Sequence, residues 1–513
     1  MSFAVPPVLT RAAVTLLMAA LGACGGKSDD HRNSPQAEAV ILPSDIYADA
    51  CAADNPEAPA ALRSGSPLQE RMWLRAMLNE RYLWRGELPV LDATAARYTG
   101  LDYETAMDRW FEDLVHPAGS QDKYSFRETT REATAASQGE RVGVGIAASQ
   151  VAGSPRRMWV LTVDAGSPAA AAGVQRGDEV VSVNGITLAT ATEAEMQTLG
   201  RLARTAAVGE TVTWVLRRGE VTRELRLTNQ VQHSPPVPLA RVLPGGSSGP
   251  VGYLLFSEFT LPAEDALAAA MTQFQTSQVR DLVIDLRYNG GGLGYIAAQL
   301  AYMVTGPSTE GKLFNADRLN ERRVGTSSEL PFLPVSCHPG PDMIGCTDQR
   351  PLPSLSLSRV FVLTGPGTCS ASELLINGLR GVDVEVIQVG QTTCGKPYGF
   401  EAVPHCGYTT HAIDRQTSNA KGFGDYADGF APAAQGPAGL PGCVVPDDLT
   451  HALGDPAEGL LAAALHFRAE GQCPATATAL SVRSASAQPE GADRPLLKPL
   501  RPSQALLLKS PSR

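Results

Sequence analysis

The spacing of hydrophobic residues changes along the chain, and its first part has the period of helices. Leu74, Met77, Leu78 and Tyr82 recur every three or four positions, and Tyr103–Leu114 is a second amphipathic run. This pattern predicts a small helical domain over residues 65–135, in which the aromatic side chains form the core.

Residues 136–232 follow a different pattern, with short segments in which apolar and polar residues alternate. Such segments are typical of half-buried strands. The predicted strands are Arg157–Val163, Glu179–Val183 and Val212–Leu216. A Pro-rich linker at residues 234–238 ends this β-rich module.

In residues 250–472, short apolar strands alternate with helical patterns, which predicts an α/β core and makes the whole chain an α/β multidomain protein. The predicted strands are Val251–Phe256, Leu282–Leu286, Val360–Leu363 and Val384–Val389, and the predicted helices are Glu264–Phe274, Tyr295–Val304 and Ser372–Leu379. Residues 473–513 are rich in Ala, Ser, Pro and Arg, which predicts a disordered tail.

The N-terminal segment, residues 1–24, has the features of a targeting signal. Arg11 precedes the apolar stretch Ala12–Ala20, which is too short to span a bilayer, and small residues then lead to Cys24. The segment resembles a bacterial lipoprotein signal in which Cys24 is lipidated, and Gly25 after it favours the outer membrane. Residues 25–64 are then expected to be a tether or linker. The alternative is a plain secretory signal with an incidental cysteine.

Composition and charge narrow the function classes. Of the 513 residues, 43% are hydrophobic and 19% charged, which is a globular composition. The net charge of -10 provides no basic surface for nucleic acid.

Eight cysteines remain besides Cys24, and an even number in an exported protein predicts disulfides. Cys337 and Cys346 are the simplest local pair, and the other pairings stay open. A zinc site is the alternative, but the sequence has neither paired Cys-x-x-Cys motifs nor His-Glu-x-x-His. No metal or other cofactor is expected.

The segment between the first two strands of the β-rich module reads Gly166-Ser-Pro-Ala-Ala-Ala-Ala-Gly-Val, then Arg176-Gly-Asp. It strongly resembles a PDZ domain, a β-sandwich or barrel-like module. The resemblance implies that Gly143, Val144, Gly145 and Ile146 bind the C-terminal carboxylate of a peptide, because consecutive backbone N–H groups form an anion nest beside a strand edge. A Gly-rich turn without a ligand is the alternative.

Three further segments carry candidate chemistry. In Thr368-Cys-Ser-Ala-Ser-Glu373, Ser370 stands between a strand and a helix, where the Ala371 N–H can face a developing oxyanion. The same Ser-x-x-Glu spacing fits a helix capping box. In Asp285-Leu-Arg-Tyr-Asn-Gly-Gly-Gly292, three glycines let backbone N–H groups approach a carbonyl, although a plain tight turn also fits.

The last segment, Gly390-Gln-Thr-Thr-Cys-Gly-Lys396, has the spacing of a phosphate-binding loop. That loop requires Ser or Thr after the lysine to hold Mg²⁺, and Pro397 stands there instead. An exported protein also meets little ATP, so no nucleotide is expected.

In this order, the segments resemble the C-terminal processing peptidases, tail-specific Ser/Lys proteases with a PDZ domain. The resemblance covers roughly residues 65–470 and implies a crotonase-like α/β peptidase domain. It also implies that Ser370 is the nucleophile, that Lys396 is the general base, and that Ala371 and Gly291 provide oxyanion N–H groups. The expected function is hydrolysis of exported, unfolded or tailed polypeptides through an acyl-enzyme, in the cell envelope and at the outer membrane facing the periplasm.

Elementary chemistry supports this dyad. A lysine at its ordinary pKa of about 10.4 is charged near neutrality, but burial lowers the pKa and yields a neutral amine that accepts the serine proton. One departure concerns Phe400, where many relatives have a Gln that supports the lysine. The alternatives are a Ser/His/Asp triad using His405, a thiol nucleophile at Cys369, and an inactive ligand-binding relative.

Overall fold

The computed structural model describes residues 41–151, 155–204, 206–323, 328–339 and 346–475. Of these, the residues from Leu42 onward belong to one compact unit. The predicted signal segment with Cys24 and residues 476–513 of the predicted tail lie outside the described residues. Within the described ranges, no helix is both long and apolar enough to cross a membrane.

Every predicted helix is present, with ends shifted by a few residues. The α-helices of the described chain are α1 (Pro67–Arg81), α2 (Tyr103–Val115), α3 (Thr130–Ser137), α4 (Pro168–Ala171), α5 (Glu193–Arg204), α6 (Ala263–Thr276), α7 (Gly294–Thr305), α8 (Ala371–Gly381) and α9 (Gly459–Glu470). Side-chain caps at Ser66 and Asp102 begin α1 and α2, because each accepts a hydrogen bond from the third residue after it.

The strands fall into three successive groups. The first group is β1 (Phe126–Thr129), β2 (Glu140–Gly143), β3 (Ile146–Val151), β4 (Arg157–Val163), β5 (Glu179–Val183), β6 (Ile186–Thr187), β7 (Thr211–Arg218), β8 (Val221–Thr228) and β9 (Gln230–His233). The second is β10 (Leu239–Leu243), β11 (Val251–Leu255), β12 (Asp281–Asp285), β13 (Leu313–Leu319), β14 (Ser328–Pro331), β15 (His338–Pro339), β16 (Cys346–Asp348), β17 (Arg359–Thr364) and β18 (Glu385–Gly390). The third is β19 (Tyr398–Gly399), β20 (Val403–His405), β21 (Tyr408–His411), β22 (Arg415–Ser418), β23 (Ala431–Pro432), β24 (Gly439–Leu440) and β25 (Gly442–Val444).

The β-rich module is an antiparallel sheet in the order β3-β4-β5-β7-β8, with β6 paired to β5. Its own core contains Val160, Val180 and Leu216 on the sheet and Met196 on α5. The predicted strands Arg157–Val163 and Glu179–Val183 have the same ends in the structure.

The α/β region is built on a six-stranded sheet in the order β10-β11-β12-β17-β18-β25, which is parallel from β11 onward. Alternate residues point to opposite faces. Leu254, Ile284 and Val362 pack with α6, α7 and α8, whereas Val283 and Phe361 pack with α9 on the other face. A parallel sheet covered on both faces explains the continuous apolar runs of these strands in the sequence.

The helical region is not self-contained. Its core also includes Phe400, Tyr408 and Ile413 from the far end of the chain, and β1 pairs with β21. The sequence could not show this, because helical spacing reveals which face is buried but not what covers it.

Part of the predicted linker, residues 25–64, is folded. Cys51 forms a disulfide with Cys406, and the Ala52 N–H donates to the buried Glu70 carboxylate at 2.6 Å. These contacts hold residues 42–64 against the helical region, so the linker prediction is corrected for this stretch.

The eight cysteines after Cys24 form four disulfides, as the even count predicts. They are Cys51–Cys406, Cys337–Cys346, Cys369–Cys394 and Cys443–Cys473. The local pair expected from the sequence, Cys337 with Cys346, is present.

Candidate active site

The three glycine, serine and lysine segments follow three neighbouring strands of the parallel sheet. Asp285 at the end of β12 lies beside Leu363 of β17, and Thr364 at the end of β17 lies beside Gly390 of β18. The carboxyl ends of adjacent parallel strands share one edge of the sheet, which is where α/β proteins bind ligands. The topology therefore brings together segments whose residues lie up to 111 positions apart in the sequence, from Asp285 to Lys396.

Ser370 occupies a sharp turn between β17 and α8. Its φ of 56° and ψ of -115° fall outside the regions that non-glycine residues normally adopt. Such a conformation persists only where surrounding contacts hold it, and it occurs mainly at functional sites. Here the Cys369 N–H donates to the Asn289 carbonyl at 3.1 Å, and the Thr368 hydroxyl donates to the Leu286 carbonyl at 2.8 Å.

The glycine segment passes directly over this turn. A Cβ atom on Gly291 would lie 2.7 Å from the Ser370 Cβ and 2.8 Å from the Ala371 nitrogen, and φ at Gly291 is 103°. Only glycine allows this approach. The Gly291 N–H donates to Asn289 Oδ1 at 2.9 Å, so in this conformation it is engaged with a side chain of its own segment.

Glu373 joins the serine turn to the lysine loop. Its carboxylate accepts hydrogen bonds from the N–H groups of Ser370 at 3.1 Å, Gly395 at 2.8 Å and Lys396 at 2.8 Å. The Thr393 hydroxyl also donates to it, at 2.5 Å. The Ser370 and Lys396 N–H groups share a single oxygen, Oε2, which fixes the two backbones relative to each other. Burial raises the pKa of Glu373, although these hydrogen bonds act in the opposite direction.

Lys396 is buried, with 2% of its surface exposed. Burial lowers its pKa to about 7, while the charges of Asp122 and Glu373 partly oppose that shift. Among the described residues, no carboxylate oxygen lies within 4.0 Å of the Lys396 amine. A substantial fraction of this amine is therefore neutral at physiological pH.

Two aromatic rings flank the amine. Lys396 Nζ lies 4.5 Å from the centre of the Phe400 ring and 5.3 Å from that of Tyr124. The Tyr124 hydroxyl also donates to the Gly395 carbonyl at 2.9 Å, so it contacts both the lysine side chain and its loop. Phe400, at the position where the resemblance leads one to expect Gln, thus contributes apolar packing rather than a hydrogen bond.

Of the neighbouring charges, that of Asp122, a buried carboxylate of the helical region, has the largest effect on the pKa of Lys396. Burial alone would raise the pKa of Asp122, but the nearby His116 ring, at 3.8 Å, and hydrogen bonds from the Ser125 hydroxyl and the Tyr124 N–H lower it. Burial likewise acts to lower the pKa of His116, yet Asp122 and Glu112 raise it to about 9. The Asp122 carboxylate is therefore ionised and paired near neutrality.

Asp285 and Arg287 stabilise the structure of the glycine segment. Arg287 is buried and donates to Asp285 at 2.8 Å and to Glu458 at 2.6 and 2.9 Å. Tyr253 adds a hydrogen bond to Asp285 at 2.7 Å. These contacts anchor the end of β12, from which the glycines extend.

The β-rich module contacts this same segment through Arg176. The Arg176 guanidinium donates to the Tyr288 hydroxyl at 2.5 Å, to Asp447 at 2.7 Å and to the Asp448 carbonyl at 3.1 Å. Tyr288 directly precedes Asn289 in the glycine segment. The module is thus attached next to the candidate active site.

The predicted carboxylate-binding residues connect β2 to β3. Gly143 ends β2, Val144 is buried, Gly145 has a φ of 79°, and Ile146 begins β3. Within the described residues, β3 pairs with β4 alone, so its other edge is open to a further strand. This is the arrangement that strand addition by an extended peptide requires.

His405 lies in a different environment. Its ring stacks on Trp73 with 3.8 Å between the ring centres, within the helical region. Burial lowers its pKa to about 4. These contacts give His405 a packing role beside the Cys51–Cys406 disulfide.

Sequence reasoning missed the functional contacts of Glu373, Asn289, Tyr124 and Asp122. The capping-box spacing did signal Glu373, but only as a helix cap. Tyr124 precedes Gly395 by 271 residues, and no local pattern predicts their contact.

Comparisons with known proteins agree with this architecture. Residues 250–405 match the profile of Peptidase family S41, and residues 159–218 match that of a PDZ domain. The chain is 28% identical over 333 residues to a carboxyl-terminal-processing protease of Synechocystis, covering 64% of this chain and 66% of that protein. It is 28% identical over 266 residues to the chloroplastic C-terminal processing peptidase of Tetradesmus obliquus, covering 50% of this chain and 52% of that protein. The matches thus span about half to two thirds of these relatives.

A crystal structure of an S41 protease from Bacteroides fragilis superposes with a TM-score of 0.55 at 22% identity, covering 78% of this chain and 97% of that one. This likeness shows the fold. Together, the matches confirm the predicted resemblance to C-terminal processing peptidases with a PDZ domain and the mixed α/β architecture.

Proposed function

We propose that this relative of the carboxyl-terminal-processing proteases, with its S41 peptidase region and PDZ domain, is a serine endopeptidase that acts through a Ser370/Lys396 dyad. The observation that carries the proposal is the state of Lys396. Its amine is buried, its pKa is lowered to about 7, and its backbone shares one carboxylate oxygen with Ser370.

The reaction begins when the neutral Lys396 amine accepts the Ser370 hydroxyl proton while Oγ attacks the scissile carbonyl. The Ala371 N–H, together with a glycine N–H of residues 290–292, stabilises the oxyanion. Gly291 serves in this role once its N–H turns from Asn289 to the substrate. Protonated Lys396 then gives its proton to the leaving amine, and an acyl-enzyme remains. Water activated by the same amine releases the product acid.

The proposed substrates are extended polypeptides, because the scissile bond of a compactly folded chain is not accessible to the Ser370 turn. The PDZ domain supplies recognition. Gly143–Ile146 bind a free C-terminal carboxylate, and the open edge of β3 pairs with the tail. A tail peptide should bind more weakly when its carboxylate is amidated, which a fluorescence titration measures. Equal binding of the free and the amidated peptide would show that the C-terminal carboxylate is not recognised.

Cleavage of casein by the full-length protein tests the peptidase proposal. Ser370→Ala and Lys396→Ala should each abolish cleavage, whereas His405→Ala should retain it because His405 packs on Trp73. A protein that binds tailed peptides but cleaves none would be a binding relative of the same fold. Loss of activity in His405→Ala with retention in Lys396→Ala would instead establish a histidine base.

The location we propose is the cell envelope, with the mature chain anchored by lipid on Cys24 at the outer membrane and facing the periplasm. The supporting features are the signal-like segment and the small residues before Cys24. Cys24→Ala should move the protein from the membrane fraction to the soluble fraction. A wild-type protein that is already fully soluble would contradict the proposal.

A further inference from the structure

One disulfide, Cys369–Cys394, lies within the candidate active site. Cys369 directly precedes Ser370, and Cys394 is two residues before Lys396. The Cα atoms of the two cysteines are 5.2 Å apart. The bond therefore links the turn that carries the nucleophile to the loop that carries the base.

We propose that the Cys369–Cys394 disulfide is a positioning bond of the active site, so that the protein is an active peptidase only while this bond is oxidised. The inference rests on the proposed function, since it concerns the geometry of the Ser370/Lys396 dyad. It adds two positioning residues and a dependence on the redox state of the compartment.

The backbone of Ser370 provides the first argument. Its φ of 56° is unfavourable for a residue with a side chain, so neighbouring contacts must hold it. The residue before it, Cys369, is held by the disulfide and by two backbone hydrogen bonds, from its N–H to the Asn289 carbonyl and to its carbonyl from the Ser372 N–H. Reduction removes the only covalent one of these three restraints.

The lysine loop provides the second argument. Residues 391–397 form no helix or strand, and three of their polar groups depend on a single side chain, that of Glu373. Besides Glu373, the loop is attached to the serine turn by the Cys394 N–H, which donates to the Thr368 carbonyl at 3.0 Å. Without the disulfide, the relative position of the two segments depends on non-covalent contacts alone, which deform more easily than a covalent bond.

The chemistry of reduction requires a dithiol. A thiolate of the dithiol attacks the sulfur of Cys394, which is the more exposed of the two cysteines, and Cys369 leaves as a thiolate. The second thiol of the reductant then attacks the mixed disulfide and releases Cys394. Two electrons and two protons pass from the dithiol to the cysteine pair, and the reductant becomes a disulfide.

The test compares two matched double variants of the full-length protein, Cys369→Ser/Cys394→Ser and Cys337→Ser/Cys346→Ser. Each pair consists of one buried and one half-buried cysteine, but only the first pair adjoins the dyad. Casein cleavage is measured before and after dithiothreitol and after reoxidation. A chelator is present throughout, because Cys369, Cys394 and Glu373 place ligand atoms within 4.8 Å of one another and their reduced form can bind a metal ion.

The expected result is a loss of about 100-fold in kcat for the first variant and for the reduced wild type, with little change in KM, because a displacement of about 1 Å has that effect on a catalytic group. The pH profile of kcat/KM should also shift upward, because a loosened loop hydrates Lys396. Before reduction, the control variant should keep the kcat of the wild type. Reoxidation should restore the wild type and the control variant, which both retain Cys369 and Cys394, but not the first variant.

An unchanged kcat after reduction, or an equal loss in both double variants, would overturn the inference. A separate readout distinguishes it from failure of the proposed function. Hydrogen exchange at the Gly395 and Lys396 amides should accelerate on reduction whether or not the protein cleaves casein. If the oxidised protein cleaves nothing, the proposed function fails, and unchanged exchange at these amides would refute the positioning role by itself.

Discussion

Lys396 shows how the environment of a residue determines its chemistry. In the sequence it belongs to a Gly-x4-Gly-Lys pattern that suggests phosphate binding, whereas in the fold it lies between the rings of Tyr124 and Phe400. Burial lowers its pKa to about 7, so the folded protein releases a proton that the unfolded chain would keep up to about pH 10.5. The buried amine therefore lowers the free energy of unfolding near neutral pH.

Replacing Lys396 with Met should stabilise the protein at pH 7 while abolishing cleavage. The folded-state pKa lies below the unfolded one, so the lysine destabilises the fold progressively as the pH falls from about 10.5 to about 7. Removing it should raise the free energy of unfolding by on the order of 2–4 kcal/mol at pH 7 and by much less at pH 10.5. Denaturant titrations at both pH values measure this. Lys312→Met, at an exposed lysine, is the control and should change stability little.

Gly291 allows a second prediction at the residue scale. Gly291→Ala would place a methyl group 2.7 Å from the Ser370 Cβ, so we expect kcat to fall by about 100-fold or more as the serine turn shifts. Gly311→Ala is the matched control, because its φ of 73° is also positive but no atom lies within 4 Å of the added methyl. Equal activity of the two variants would show that the close approach at Gly291 is unimportant.

The sequence identifies a site residue only where that residue belongs to a short local motif. Ser370, Lys396 and the glycines lie in short motifs directly after strands, and their motif order was informative. The Asn289 carbonyl and the Tyr124 side chain contact residues that are distant in the sequence, and no rule of sequence spacing predicts such contacts. The sequence shows Phe400 where many relatives have a supporting Gln and leaves the support of Lys396 open, and in the structure the Phe400 ring lies against the amine.

At the scale of elements, the active site is a property of strand order. The ends of β12, β17 and β18 are neighbours because the sheet is parallel, and each is followed by one segment of the candidate active site at the same edge. Apolar runs in the sequence predict these three strands, and each predicted end lies within one residue of the end in the structure. They could not predict which strands are adjacent, since that depends on long-range packing.

Glu373 in the first turn of α8 joins two of these segments, and its replacement should separate them. Glu373→Gln keeps the shape but gives the side chain an NH₂ group in place of one acceptor oxygen. Four donors then face one remaining acceptor. We expect stability to fall by about 2–4 kcal/mol and kcat to fall with it. Thermal unfolding and casein cleavage measure the two effects.

The control for this variant is Glu385→Gln, at an exposed position on β18. It should leave both stability and cleavage close to wild type. A Glu373→Gln protein with normal kcat would mean that Glu373 is not needed to hold Ser370 and Lys396 in position.

The predicted linker shows where elements cannot be assigned from the sequence. Residues 25–64 are expected to be a tether or linker, yet within this stretch Cys51 is joined to Cys406 across 355 residues and Asn55 is fully buried. Irregular segments fold when covalent and hydrogen-bond partners come from elsewhere in the chain. Their own sequence carries no periodic signal of that kind.

At the scale of the whole molecule, the PDZ domain, the helical region and the peptidase region converge on one edge of the sheet. Tyr124 and Asp122 reach Lys396 from the helical region, and Arg176 reaches Tyr288 from the PDZ domain. The catalytic segments thus have a neighbour in every region of the described chain.

Arg176→Ala should loosen the PDZ contact without unfolding the PDZ domain. It removes hydrogen bonds to Tyr288, Asp447 and the Asp448 carbonyl, and we expect a loss of about 1–3 kcal/mol. Hydrogen exchange should accelerate at residues 447–449 while the sheet β3-β4-β5-β7-β8 stays protected. Arg226→Ala, at an exposed arginine on β8, should change neither region. Unchanged exchange at residues 447–449 in Arg176→Ala would contradict this role for the arginine.

The most direct test of the central claim is the pH dependence of kcat/KM for cleavage of an unfolded polypeptide. In the proposed mechanism the neutral Lys396 amine is the base, and burial lowers its pKa to about 7, so activity should rise with pH through a midpoint near 7 and then level off. In Lys396→Ala both the activity and this midpoint should disappear. A midpoint near 4, where burial places the pKa of His405, or an unchanged profile in Lys396→Ala, would contradict the account.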